Sequence, residues 1–245
     1  MSIVSGKLFL IPSQLGKCPV EMCIPAYNIQ IVNSLKYFIV EEISSAFRTL
    51  RNIGFSNSFD DVTFYELNEH TKPAELISYL ECTKRGENIG LLSEAGLPCL
   101  ADPGALIVAM AHSYNVKVIP LTGPSSIVSA LISSGMNGQN FAFHGYLPIK
   151  SPAREQRIKQ CEAVSADFNQ TQIFIEAPYR NVQLFKSLID NCLPSTLLSV
   201  ASNIHCQDEL IVMKSIDEWR KKTPPDIHKK PTVFCIFARF KQKKR

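Results

Sequence analysis

Two short stretches hold the residue types that a small-molecule site needs. Residues 93–104 read SEAGLPCLADPG and residues 122–126 read TGPSS. Gly96, Pro98, Pro103 and Gly104 forbid a continuing strand and force the chain to turn repeatedly, and the small residues let a ligand approach the main chain. Neither stretch is Gly-x-Gly-x-x-Gly or a phosphate-binding loop with its lysine, so a nucleotide gripped mainly through phosphates is not the expected ligand. Ordinary turn chemistry between packed elements is the other reading. Three acids stand at similar places: Glu41 and Glu42 in tandem, and Glu94. Carboxylates held close raise one pKa and suit the binding or deprotonation of a substrate group. Acids that open a helix are equally favoured by its dipole, and both readings stay open. Further on, Glu176 and Arg180 lie four apart in FIEAPYR. They either pair with each other or leave Arg180 to hold an anionic group.

The elements that must carry these residues alternate along the chain. Apolar runs at 7–11, 37–40 and 89–92 and the alternating run 62–67 read as strands, of which 89–92 has no polar alternation and suits a parallel strand covered on both faces. Helical spacing appears over 27–35, 45–52 and from Pro73 to near Gly86. After 104, Leu106, Ile107, Met110 and Ala111 predict a helix to about Tyr114, with Asp102 as its cap and Pro103 at its first position. A strand over 116–121 completes a βαβ unit, and ligands of such sheets sit at the carboxyl ends of the strands. This predicts a doubly wound, mainly parallel N-terminal sheet. A helix over 125–136 begins directly after Gly123 and Pro124, so its free N–H groups suit a carboxylate or ribose oxygens. Beyond Gly138 short strands at 141–143, 171–175 and 197–201 alternate with helices. Two α/β domains, 1–121 and 122–245, are expected, the second with a mixed sheet.

Length and composition fit that plan. The 245 residues carry a net charge of +4, much of it in Lys241, Lys243, Lys244 and Arg245. That cluster reads as a solvated tail rather than a nucleic-acid grip. Eight cysteines are scattered without a Cys-x-x-Cys pair, Cys18 and Cys23 being the close ones. No histidine follows them at zinc-site spacing, so a protein with free thiols, a cytoplasmic location and no metal is expected. No run approaches a membrane span. Lys150, Arg154, Arg157 and Lys159 read either as a phosphate-tracking face or as a solvated basic helix. His144, His205 and Trp219 read as structural.

These motifs, in this order, closely resemble those of the tetrapyrrole methylase superfamily, the class III S-adenosylmethionine methyltransferases, and within it the ribosomal RNA small-subunit methyltransferase I branch. The branch has Ser-Asp-Ala-Gly-Thr-Pro and Asp-Pro-Gly where this chain has SEAGLP and DPG, and Pro-Leu-Pro-Gly-Pro where it has PLTGP. Asn68-Glu69, HGYLP at 144–148 and IEAPYR at 175–180 are similar to its Asn-Glu, Glu-Gly-Phe-Leu-Pro and Tyr-Glu-Ala-Pro-His-Arg. Departures fall at Gln14 and Lys17, at Ile43 and Ser44 in place of a threonine and an arginine, at Ser202 and Asn203, and at Pro231.

The resemblance implies two α/β domains with S-adenosylmethionine in the cleft between them, usually in a homodimer. It places Pro12, Ser93, Ala95, Gly96, Leu97, Leu100, Ser125 and Ser126 around the cofactor and Glu176 and Arg180 on the substrate side; Glu42 and Glu94 are the candidate bases for such a transfer, and Arg154, from the basic helix, is a further candidate for the substrate side. The implied acceptor is a ribose 2′-hydroxyl of ribosomal RNA. A small tetrapyrrole as acceptor and a non-catalytic cofactor-binding protein are the alternatives.

Overall fold

The structure, a computed structural model, describes residues 5–68 and 71–238. Glu69 and the basic residues at 241–245 lie outside that set. The elements in order are β1 (Lys7–Ile11), α1 (Ala26–Ser34), β2 (Tyr37–Val40), α2 (Ile43–Ile53), β3 (Thr63–Glu66), α3 (Pro73–Tyr79), α4 (Glu81–Lys84), β4 (Ile89–Leu92), α5 (Ala105–Ser113), β5 (Lys117–Pro120), α6 (Ser126–Ser133), β6 (Phe141–Tyr146), α7 (Ala153–Phe168), β7 (Thr171–Ile175), α8 (Asn181–Asn191), β8 (Leu197–Ser202), β9 (Leu210–Ser215), α9 (Ile216–Arg220) and β10 (Thr232–Phe237). The chain divides into two compact units between Ser125 and Ser126.

The first unit is built on a five-stranded parallel sheet in the order β3-β2-β4-β1-β5. All four residues of β4 are buried, as its unbroken apolar run requires. Gly90 is needed there, because a Cβ would lie 2.4 Å from Ile11 Cδ1 and 2.9 Å from Leu35 Cδ1. Helix α2 buries Ala46, Leu50 and Ile53 on one stripe. An aromatic cluster fixes its pitch: Phe47 stacks on Phe59 at 4.3 Å, and Phe38 meets Phe55 and Phe64, each at 5.8 Å. Each fully buried Leu or Ile stabilises this packing by about 1.5–3 kcal/mol. Gly54, at φ 102°, closes the helix in the left-handed conformation.

In the second unit the sheet order is β6-β7-β10-β8-β9, with β6 parallel to β7 and the other pairs antiparallel. The mixed sheet is thus as expected, but β9 and α9 have no counterpart in the sequence reading. Trp219 shows why α9 packs: it is buried against Phe185 and its indole N–H donates to the Leu198 carbonyl at 2.9 Å. Ser215 and Glu218 form a capping box at the start of α9.

Some helix boundaries differ from expectation. α5 begins at Ala105, not at Pro103, because the Asp102 carboxylate is committed to the turn before it. α7 begins at Ala153 with Pro152 in the cap position. The helix expected from Pro73 to near Gly86 is two short ones, broken at Leu80.

Candidate active site

Strand order alone locates a crevice. From β1 the chain passes over β4 to reach β2, and from β4 it passes over β1 to reach β5. Adjacent strands β1 and β4 therefore send their loops in opposite directions, and the carboxyl ends of such a pair are where parallel sheets bind ligands. Here the two loops are stitched together by main chain: Ser13 N–H donates to the Gly96 carbonyl at 2.9 Å and Gly96 N–H to the Ser13 carbonyl at 3.1 Å. The Ser13 hydroxyl, itself buried, donates to the Ser93 carbonyl.

Gly96 is the point where three loops converge. Its φ is +75°, which only glycine adopts readily, and a Cβ on it would lie 3.1 Å from Leu15 Cδ2 and 3.4 Å from the Pro124 carbonyl. The β5 loop is held equally closely, since a Cβ on Gly123 would sit 2.3 Å from both Cβ and Cγ of Pro12. Buried Asn28 on α1 donates from its side-chain amide to the Thr122 carbonyl at 2.8 Å. Nothing local in the sequence marks Asn28 for that task. In the β4 loop Asp102 accepts from the N–H groups of Cys99 and Gly104, each at 2.8 Å. Cys99 and Ala101 sit at φ 67° and 64°. Such residues cost on the order of 1 kcal/mol each, and concentrate at ligand loops.

The expected cofactor residues take these places. Pro12, Ser93, Gly96 and Ser125 are buried, Leu97 and Leu100 half-buried and Ala95 exposed. Ser93 turns its hydroxyl to the Ala95 carbonyl at 3.2 Å. Ser126 is the first residue of α6. Gly96 and Gly123 are required because the three loops pack directly on one another, against Leu15, the Pro124 carbonyl and the Pro12 ring.

Acids gather along the same edge because the sheet is parallel: Glu41 and Glu42 follow β2, Glu66 ends β3, and Glu94 follows β4. Helix α2 holds three of them. The Ile43 N–H donates to Glu66 at 3.2 Å, the Ser44 hydroxyl to Glu42 at 2.5 Å and the Ser45 hydroxyl to Glu94. Glu42 is also the cap residue of α2, so its position at a helix start coexists with its position at the sheet edge. Beside them lies a cavity of about 760 Å³ whose walls include Ser13, Gln14, Lys17, Arg48, Asn52 and Glu94. A smaller cavity of about 50 Å³, bounded by Ser5, Leu80 and Val116, lies before β1 and β5 and has no room for a cofactor. Lys17 and Arg48 were not among the expected site residues. Their signal is positional, since Arg48 stands one helical turn after Ser44 on α2.

Among the acids of this edge, Glu41 is shifted by its surroundings. Partial burial, then the charges of Glu94 and Asp102, raise its pKa above the ordinary carboxylate value. A carboxyl raised on folding favours the folded state while protonated and loses that contribution as pH rises through the folded pKa. Glu41→Gln is therefore expected to melt at a higher temperature than the parent protein near about pH 7, with the difference vanishing below about pH 4. Thermal melts across that range check it.

The second unit places Glu176 and Arg180 together. Glu176 is 5% exposed; its Oε1 accepts from the Ala177 N–H at 2.7 Å and from Arg180 Nε and Nη2 at 2.9 and 2.6 Å. Arg180 Nη1 donates to the Tyr179 hydroxyl at 2.7 Å, and the adjacent Glu176 holds the guanidinium pKa above its usual value. Arg154 does not share a basic face with Arg157 and Lys159. It is 5% exposed and donates to the Ile149 carbonyl at 3.0 Å, because position 154 falls on the inward stripe of α7 with Ile158 and Cys161. Arg157 instead reaches His144 Nδ1 at 3.2 Å, and His144 Nε2 meets Gln172 Oε1 at 2.6 Å. Among the described residues no group of three or more His, Cys, Asp or Glu is placed to hold a metal, and no helix is long and apolar enough to cross a membrane.

No family model matches the chain. Ribosomal RNA small subunit methyltransferase I of Vibrio cholerae is 30% identical over 183 residues, covering 75% of this chain and 59% of that protein. The protein of that name from Micromonospora olivasterospora is 29% identical over 214 residues, or 87% of this chain and 64% of that one. The chain thus spans less than two thirds of the length of either relative. A third, from Buchnera aphidicola, is 26% identical over 243 residues, 98% of this chain and 81% of that protein. Among solved structures, the methyltransferase CobJ superposes with a TM-score of 0.63 at 13% identity, covering 96% of this chain and 95% of that one. The cobalt precorrin-4 methyltransferase CbiF gives 0.60 at 11% identity, with 94% of each chain covered. The resemblance carried by the loop motifs therefore holds: the chain is similar in sequence to the ribosomal RNA small subunit methyltransferase I proteins and has the two-unit α/β fold of the tetrapyrrole methylases.

Proposed function

We propose that the chain is an S-adenosylmethionine-dependent methyltransferase whose acceptor is a ribose 2′-hydroxyl of ribosomal RNA. The observation that carries the reading is the convergence of the β1, β4 and β5 loops at Gly96 beside an acid-bearing cavity. When bound, the cofactor supplies a methyl group already activated by its sulfonium, so the chain's task is alignment and proton removal. Pro12, Ser93, Ala95, Gly96, Leu97 and Leu100, with Ser125 and Ser126, are the residues that hold it. Glu94 is the preferred base, because its carboxylate lines the cavity and is oriented by the Ser45 hydroxyl. Glu42 is the second candidate, with Oε1 engaged by Ser44. Arg180, fixed by Glu176, serves the acceptor side.

Calorimetric titration with the cofactor or its demethylated product tests the first half, and no binding at millimolar concentration overturns it. Mass spectrometry of ribosomal RNA from a deletion strain tests the acceptor, since an unchanged methylation pattern removes it. For a polynucleotide acceptor, Lys17 and Arg48 are the cations that meet its phosphates at the cavity wall. Arg48→Ala is expected to weaken RNA binding at low salt and to reduce the slope of log K against log salt by about 0.7, as for one lost single-strand phosphate contact. Cofactor affinity should not change. Filter binding across a salt series gives the slope.

A second reading, methylation of a small tetrapyrrole, is favoured by one observation: the cavity of about 760 Å³ lies in the size range of small-molecule pockets. Porphyrinoid binding followed by absorbance separates it from the first. A homodimer in the cytoplasm accompanies the main reading. Sedimentation of the intact chain tests the dimer.

A further inference from the structure

Of the eight cysteines, Cys82, Cys161, Cys192 and Cys235 are buried, as ordinary packing requires. Cys18 and Cys23 differ in three respects. Their sulfurs are 3.8 Å apart. Both are half-buried rather than enclosed. They also lie on the segment that walls the cavity of about 760 Å³, where Cys18 is itself a lining residue.

Backbone geometry produces the contact. Cys18 N–H donates to the Gly16 carbonyl at 3.0 Å, Pro19 opens a 3-10 turn over Val20–Met22, and Cys23 N–H closes it on the Val20 carbonyl at 3.1 Å. The turn folds the segment back on itself, so positions five apart meet. Gln14 steadies the bend, its side-chain amide donating to the Cys18 carbonyl at 2.5 Å and lying 3.9 Å from the Cys18 sulfur. Cys23 packs against the core of the first unit beside Val20. One sulfur is thus reachable from the cavity, and the other waits behind it.

We propose that Cys18 and Cys23 are a redox pair, closed to a disulfide by hydrogen peroxide and reopened by a dithiol, which cross-links the cavity wall to the core behind it. In the forward step the Cys18 thiolate attacks one peroxide oxygen. The O–O bond breaks, hydroxide leaves and takes up a proton, and Cys18 becomes a sulfenic acid. The Cys23 sulfur then attacks the Cys18 sulfur; the S–S bond forms, the S–O bond breaks, and the Cys23 proton leaves with the hydroxyl as water. Two thiols and one peroxide give one disulfide and two waters. Burial, with Cys18 beside it, pushes the Cys23 thiol up to about 11, and Cys18, which lines the cavity, is the sulfur that peroxide meets first. The sulfurs must approach by about 2 Å, from 3.8 Å to a bond of about 2 Å. The inference stands on these two side chains alone and does not depend on the acceptor.

Trypsin releases both cysteines on one peptide, residues 18–36, because the nearest cleavable residues are Lys17 and Lys36. The folded protein is treated with limiting peroxide, alkylated and digested. That peptide is expected to lose two hydrogens and resist alkylation at least about tenfold faster than Cys82, Cys161, Cys192 or Cys235 is lost. Dithiothreitol should restore it. In Cys23→Ser the Cys18 sulfenic acid should persist and be captured by dimedone. The proposal is overturned if the wild-type peptide stays doubly alkylated, if the buried cysteines oxidise as fast as it does, or if the bond forms only after denaturation in urea.

Discussion

Glu94→Gln is expected to lower the turnover number for methyl transfer by about 10²–10⁴-fold, the usual contribution of a positioned base, while leaving cofactor affinity within about threefold. Glutamine keeps the shape of the side chain and can still accept from the Ser45 hydroxyl, so the cavity wall is retained. What disappears is the negative charge that takes the acceptor proton. Single-turnover rates with saturating cofactor, set beside calorimetric binding, separate the two quantities. An unchanged rate would transfer the role to Glu42, for which Glu42→Gln is the matching measurement.

The second large effect is geometric. Gly123→Ala would place a methyl group 2.3 Å from two carbons of the Pro12 ring, which cannot rotate aside. The β1 and β5 loops must then part, which is expected to destabilise the protein by about 1–3 kcal/mol. A shift of that size in loops that hold the cofactor is expected to weaken its binding and, by misplacing the methyl group by about 1 Å, to lower the transfer rate by about 100-fold. Gly138→Ala is the control: a Cβ there meets nothing within 4 Å, so stability should stay within about 0.5 kcal/mol. Denaturant melts and calorimetry on the two variants give both comparisons. Equal cofactor affinity in parent and Gly123→Ala would remove these loops from the binding site.

Several parts of this architecture are legible in the sequence. The unbroken apolar run of β4 announced a doubly covered parallel strand, and the strand and helix spacing announced the alternation. Glycine and proline marked both loops, since only a turning backbone tolerates them at that density. Other features were written in no local pattern. Asp102 was a plausible cap by type, but it spends its carboxylate on Cys99 and Gly104, a choice set by the fold of the turn. Arg154 looked like one of four surface cations until the phase of α7 turned it inward.

Residue chemistry and local spacing thus determined the α/β class, the two ligand loops, and the acids at the strand ends, because backbone sterics and hydrophobic periodicity act over a few residues. Tertiary structure alone decided which loops meet at Gly96, that Asn28 holds the Thr122 carbonyl, and that α2 turns Ser45 toward Glu94 and Arg48 into the cavity. It also brought Cys18 against Cys23. Those outcomes depend on how packed elements orient side chains across long stretches of chain, and periodicity along the chain does not encode that orientation.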